Sequence, residues 1–268
     1  MRVIRYVAAN VFRESVRDRV PYTLVLFSVL LIAASRLLAE LTAGQDVKII
    51  KDLGLAAIAA FGLFIAVFLG VGLVSKEVER RSIYAVLSKP VSRAQFIAGK
   101  YAGLVLTLAV NVAVMTVALY LVLAWLMGTA TPAERASWDA PAVDLVLLKG
   151  IVMILVELMV VTAVALFFST FSSPFLSAAC TLGLYVAGHF SQELRDFQSL
   201  TDSRVFGWFG RGLYHVLPDF SAFDVKMQVV HGLHVPMGYL ATTTAYGLAY
   251  IAALLLGGTY IFSRRDLK

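Results

Sequence analysis

The sequence has 268 residues, of which 60% are hydrophobic and only 15% charged, with a mean hydropathy of +0.82; in soluble domains charge reaches about a quarter of the residues. That balance excludes a soluble globular enzyme and asks for lipid as solvent. The net charge of +6 is confined to segments flanking apolar runs, which points to anionic lipid headgroups, not nucleic acid, as the charged partner.

In chain order, residues 1–19 place Ile4, Val7, Ala8, Val11 and Phe12 on one helical face, with Arg2, Arg5, Arg13 and Arg17 opposite. The pattern predicts an interfacial helix lying in the headgroup plane. These residues also separate the first apolar run from the start, so no cleavable signal peptide is expected. Apolar runs then occupy 21–41, 53–75, 101–127, 145–168, 175–190 and 239–262. Read as bilayer spans, they make an all-α polytopic membrane protein of six transmembrane helices, a single permease-like domain over 1–268, with both termini on one side. The span at 175–190 is short.

Basic residues set the orientation. One side receives Arg2, Arg5, Arg13, Arg17 and Arg19, then Lys76, Arg80, Arg81, Lys89, Arg93 and Lys100, then Arg264, Arg265 and Lys268. That side is expected to be the cytoplasm of a bacterial or archaeal inner membrane, which leaves 191–238 as an extracytoplasmic segment. Small residues recur at every fourth position at Gly62, Ala66 and Gly70, and again at Ala245, Ala249, Ala253 and Gly257. Such ridges permit close helix approach, within the chain or in a dimer, and the contact within the chain is the expectation here.

The most ordered polar stretch is the loop 76–100, KEVERRSIYAVLSKPVSRAQFIAGK. Ile83, Val86 and Leu87 share a helical face, and Pro90 stops that helix because the residue before a proline is pushed out of the helical region. Ser92 with Gln95 three positions later is the signature of a capping box, so a new helix is predicted from Arg93 directly into the next span. A helix, a hard stop and a capped restart make a rigid elbow.

An acidic residue, a basic pair, a short helix ending in Leu-Ser-Lys-Pro-Val-Ser-Arg and a Gly-Lys entering the next span resemble the ABC-2 type transporter permeases, closest to the subgroup of the nitrous-oxide-reductase maturation permease. The resemblance implies a non-catalytic membrane subunit, a coupling helix in this loop that docks on a separate ATPase, two copies of that ATPase, and a second permease copy in a homodimer or heterodimer. Glu77, Glu79, Arg80, Arg81, Ile83, Tyr84, Leu87 and Pro90 would form the docking surface. ATP and Mg would be bound by the partner, and this chain would carry no cofactor of its own; Gly99-Lys100 has neither the spaced glycine nor the following hydroxyl of a phosphate-binding loop. The resemblance also implies export, or an ATP-driven process on the far side of the membrane. The run Leu217 to Asp224 resembles the extracytoplasmic segment of some of these permeases, and the short fifth span resembles the family's partly re-entrant helices.

Glu157 falls within the run 145–168, where an ionised group costs roughly 3 kcal/mol on insertion scales. It is a candidate for the translocation path or for gating. The alternative is a structural partner of Arg36, Asn111 or a hydroxyl on another span. His189, His215, His231 and His234 all fall on the extracytoplasmic side, and His231 with His234 could share a helix face, but without a third ligand they are not assigned as a metal site. Lone Cys180 forms neither a disulfide nor a cysteine pair. Two readings of other classes stay open: a membrane scaffold or assembly factor that binds a partner through 191–238, and an intramembrane enzyme using Glu157.

Overall fold

A computed structural model describes residues 2–40, 46–79, 92–136, 138, 140–190 and 217–264, the side chains of 2, 38–40 and 73–79 excepted. The described elements are helical throughout: α1 (Arg2–Arg17), α2 (Arg19–Glu40), α3 (Asp46–Glu79), α4 (Arg93–Thr129), α5 (Pro132–Ala136), α6 (Val146–Ser169), α7 (Pro174–His189), a 3₁₀ turn at Ser221–Phe223, α8 (Lys226–Val230) and α9 (Met237–Arg264). Five of them, α2, α3, α4, α6 and α9, are long and apolar enough to cross a membrane.

The helix at the centre is α6, against which α3, α4, α7, α8 and α9 all pack. It is apolar all round, as a helix enclosed by others must be, and its buried residues run on every face from Leu147 to Ser169. The α3–α6 seam uses the ridge predicted at Gly62, Ala66 and Gly70. A Cβ at Gly70 would lie 2.6 Å from the Cβ of Ala165 and 3.4 Å from the carbonyl oxygen of Thr162. The second ridge reads differently. Ala245, Ala249 and Ala253 are exposed on α9, whose inward face is Thr243, Gly247, Ile251, Gly258 and Phe262. Four-residue spacing selects one face of a helix without saying which way that face points.

The predicted apolar face of α1 is the covered one, with Val11 only 3% exposed, while Arg5, Arg13 and Arg17 are exposed. It rests on protein as well as any lipid: Cβ atoms at Gly99 and Gly103 of α4 would lie 2.7 Å from Val7 Cβ and Val11 Cβ respectively. The α4 start follows the predicted capping box. Ser92 Oγ accepts from Gln95 N at 3.3 Å, and the Gln95 side chain accepts from Ser92 N at 3.4 Å. The elbow helix expected over Ile83, Val86 and Leu87 lies outside the described residues.

At the far end of the bundle, the chain between α5 and α6 is pinned by three bonds. Lys51 Nζ, fully buried, donates to Pro141 O at 2.8 Å, Tyr120 donates to Asp144 O at 2.8 Å, and Asp144 Oδ1 caps α6 by accepting from Val146 N at 2.9 Å. A second capping box starts α5, where the Thr131 backbone N–H and hydroxyl bond Glu134 and hold its carboxyl below the ordinary range.

The run 175–190 becomes α7, of 16 residues, roughly 24 Å long against a hydrocarbon core of about 30 Å. Pro174 at its first turn follows Ser173, and the α6–α7 turn is closed by a hydrogen bond of 2.7 Å between Ser172 and Ser177 hydroxyls. The height that α7 leaves open beside α6 is filled by residues 217–236. Phe220, Phe223, Val225 and Val229 are buried there, and Phe220 N donates to Gly188 O at 3.1 Å, continuing from the end of α7.

The closeness of the α3–α6 seam is tested by Gly70→Ala, which should destabilise the purified protein by about 1–3 kcal/mol through overpacking. Gly72→Ala, with nothing within 4 Å, should leave the thermal midpoint unchanged or slightly raised.

Candidate functional site

Among the described residues, two places bear on the expected site residues. The first is the bundle end where α4 begins. Arg93, the residue that follows the cap, reaches across to the last turn of α9: its guanidinium donates to Phe262 O at 2.6 Å and to Ser263 O at 3.0 Å, and lies 5.7 Å from the centroid of the Phe262 ring. The last carbonyls of a helix have no partner within it and carry its negative dipole end, so a cation here is doubly suited. Phe96 stacks on Phe262 at 6.4 Å and 17°. Lys100, 1% exposed, lies over Phe96 at 4.9 Å. The elbow's restart is thereby tied to the final helix, a connection between residues far apart in sequence that no local pattern announces. Of the expected docking residues, Glu77 and Glu79 lie on the last turns of α3, with only their backbone described. Arg80, Arg81, Ile83, Tyr84, Leu87 and Pro90 lie outside the described residues.

The second place surrounds Glu157, midway along α6 and 1% exposed. Because α7 runs back antiparallel to α6 from a tight turn, its end reaches the same level: roughly 18 Å of helix separates Glu157 from Ser169, and roughly 22 Å separates Pro174 from His189. Glu157 Oε1 lies 3.4 Å from His189 Nε2, and Tyr185, one turn earlier on α7, stands beside the Glu157 carboxyl group. His189 Nδ1 faces the Tyr185 carbonyl at 3.4 Å. Phe220 stacks on the imidazole at 6.0 Å and 19° and touches the Tyr185 ring at 5.4 Å.

An aromatic row continues from this cluster to α9. Phe220 meets Phe223 at 6.5 Å, Phe223 meets Tyr246 at 6.2 Å, and Tyr246 meets Tyr250 at 6.2 Å. Hydrogen bonds hold the same segment: Asp219 N donates to the Tyr246 hydroxyl at 3.0 Å, Tyr239 donates to Ala222 O at 2.7 Å, and Lys149 Nζ donates to Val235 O at 3.0 Å. Gly188 makes the fit, since a Cβ there would lie 2.5 Å from Pro218 O. Residues 217–236 are thus a packed cap over α7.

Of the partners expected for Glu157, a hydroxyl side chain, that of Tyr185, is the one that stands beside it. Asn111 is spent locally, donating to Thr107 O at 2.8 Å, and the Arg36 guanidinium lies 5.8 Å from the Trp125 ring centroid. His189 is the partner that sequence reasoning missed. The signal was present, because two antiparallel helices joined by four residues must bring equal offsets from the turn to equal depth, and that count leads from Glu157 to the end of α7. His231 and His234 do not share a helix face: α8 ends at Val230, and Gly232 with φ of 67° turns the chain between them. Among the described residues no three His, Cys, Asp or Glu side chains come together as a metal site.

A bundle with five bilayer-length apolar helices, a capped helix restart after a basic loop and a buried polar cluster within the bundle defines a multi-pass helical membrane protein. The chain belongs to a transporter family: the model described as ABC-2 family transporter protein matches residues 5–267, nearly its whole length. No curated protein matches the chain. Membrane components of this family are typically non-catalytic and usually without cofactors, and membership implies an ATPase partner.

The Arg93 clasp predicts that Arg93→Ala loses about 1.5–3 kcal/mol, the range for hydrogen bonds from a charged group. Amide exchange should rise in the last turn of α9 and not at its other end. Arg93→Lys, which keeps the charge without the planar fork, should recover only part of the protection.

Proposed function

We propose that this chain is the membrane-spanning subunit through which a separate ATPase drives an ABC-2 type transporter, for export or for a process on the extracytoplasmic side. The observation that carries the reading is the joint of α4, where a capping box and the Arg93 clasp make the restart after the loop 76–100 rigid. Force applied to that loop enters α4 without being lost in a hinge. α4 has 37 residues, roughly 55 Å in length, and it is bonded along its course: Tyr101 donates to Met159 O of α6 at 3.2 Å, and Tyr120 donates to Asp144 O near the far end. α3, the other arm of the loop, continues as helix past its apolar window, which ends at Gly72, to Glu79.

In this reading the Ser92 end of the bundle is cytoplasmic, by the excess of basic residues there, and residues 217–236 lie on the extracytoplasmic side. α7 with its cap serves as the sixth span, helix for most of the depth and folded segment for the rest. Glu77, Glu79, Arg80, Arg81, Ile83, Tyr84, Leu87 and Pro90 receive the ATPase, which binds ATP and Mg in two copies, and a second permease copy completes the pathway. Glu157, buried between α6 and α7, is placed to respond when those helices shift. The subgroup of the nitrous-oxide-reductase maturation permease remains the nearest resemblance for the loop.

The test is co-purification from the native membrane in mild detergent. A bound ATPase is expected, and Glu77→Ala or Leu87→Ala should lower the ATPase activity of the complex severalfold while the amount of inserted chain stays constant. A chain that stays free of any ATPase in its native membrane overturns the reading and favours a scaffold.

A further inference from the structure

The hydrogens of the buried cluster can be counted. A backbone carbonyl only accepts, so the contact of His189 Nδ1 with Tyr185 O at 3.4 Å puts a hydrogen on Nδ1. A neutral imidazole carries one N–H, which leaves Nε2 as a bare acceptor. Facing it at 3.4 Å is Glu157 Oε1, which accepts no hydrogen bond and, when ionised, is also an acceptor. The Tyr185 side chain stands beside the carboxyl group, with no hydrogen bond to Oε1. Two acceptors with nothing between them, one on a side chain 2% exposed, repel and forfeit the desolvation cost of both.

We propose that Glu157 and His189 form a buried one-proton binding site, holding a single proton between Oε1 and Nε2. The proton is held as a carboxylic acid donating to Nε2 or as an imidazolium donating to the carboxylate, and in either form the pair has no net charge. That neutrality makes the carboxyl group compatible with its depth in the bundle, where an isolated ion is costly. The ligand is taken from the His189 side, since that side chain is 24% exposed and its partner 2%.

The surroundings add few other charges. The cap brings Asp219, Asp224 and Lys226, of which the last two pair with each other at 3.6 Å. α7 brings Tyr185, α9 brings Tyr246 and Tyr250, and α6 brings Lys149, engaged with Val235 O. α3 from residue 53 to 72 and α4 from residue 102 to 119 have no titratable side chain. The proton therefore belongs to the pair, and macroscopically it titrates as one unit. Because Oε1 sits on α6, Nε2 on α7 and the stacked Phe220 on the cap, separating these elements parts the two acceptors, and the proton must follow one of them or leave. Opening of this seam is thereby linked to proton binding, and the linkage is reciprocal.

The experiment uses the full-length chain in lipid nanodiscs near neutral pH and needs no partner ATPase, so its outcome is independent of the transport reading. Histidine ring nitrogens are followed by ¹⁵N NMR, with His189→Gln to assign the His189 signals, and carboxyl stretches by infrared spectroscopy in H₂O and D₂O. The site is supported by a protonated carboxyl band that disappears in Glu157→Gln, or by a doubly protonated His189 ring that becomes singly protonated in Glu157→Gln. That variant keeps the shape and can donate its amide N–H to Nε2, so its fold should survive, as an unchanged thermal midpoint would report. A neutral His189 beside an ionised Glu157 in the unmodified chain overturns the proposal.

Discussion

If α7 with its cap is the sixth span, as proposed, a helix of 16 residues falls short of the hydrocarbon thickness by about 6 Å, and much of the arrangement around α7 follows from that deficit. Backbone polar groups at the end of a short helix cannot be left facing lipid, where each unsatisfied group costs several kcal/mol. Phe220 N takes Gly188 O, and Phe220, Phe223 and Val229 supply the apolar volume that further turns of α7 would have filled. The shortness also fixes where His189 stands. Had α7 run to the membrane surface, its terminal imidazole would lie far from the level of Glu157. Irregular backbone is tolerated at such depth only when it is buried in protein or lines a water-filled cavity, and here Phe220, Phe223 and Val225 are buried.

The two ends of the molecule are built by different means. At the far end the chain between helices is bonded down to helix flanks, by Lys51 on Pro141 and Tyr120 on Asp144, so that loops become part of the rigid body. At the Ser92 end two helix termini are satisfied side by side: the start of α4 is capped by its own Ser92 and Gln95, and the end of α9 by Arg93. Between them the α3–α6 and α1–α4 seams are held by close approach at small residues. Without a hydrophobic driving force between helices in lipid, such contacts supply the packing.

Much of the fold was legible in the sequence because lipid imposes simple rules. Helix lengths, the amphipathic α1 and the Ser92 capping box each depend on a few neighbouring residues. The ridge on α3 was read correctly, and the one on α9 only at Gly257, which lies against Phe167, since spacing marks a face and only packing orients it: Gly247 faces Val156 and Phe223, while Ala249 faces outward. Glu157 stood out through its cost in an apolar run, yet its partner His189 did not, because the pairing is set by the antiparallel return of α7. The fold of 217–236 was hidden for the same reason. Its Phe and Val residues look like interfacial loop residues until the empty space above α7 gives them a place.

The Arg93 clasp also bears on the order in which the molecule can be made. The contacts of α1 with α4 are complete once the chain has been synthesised to Thr129, and domains are generally assembled from the N-terminus onward. The carbonyls that Arg93 holds belong to residues 169 and 170 positions later. Its guanidinium can therefore close on them only after α6, α7 and α9 have been made. Closing the clasp is among the last events of assembly, and it joins the chain's early half to its late half only when both have been inserted.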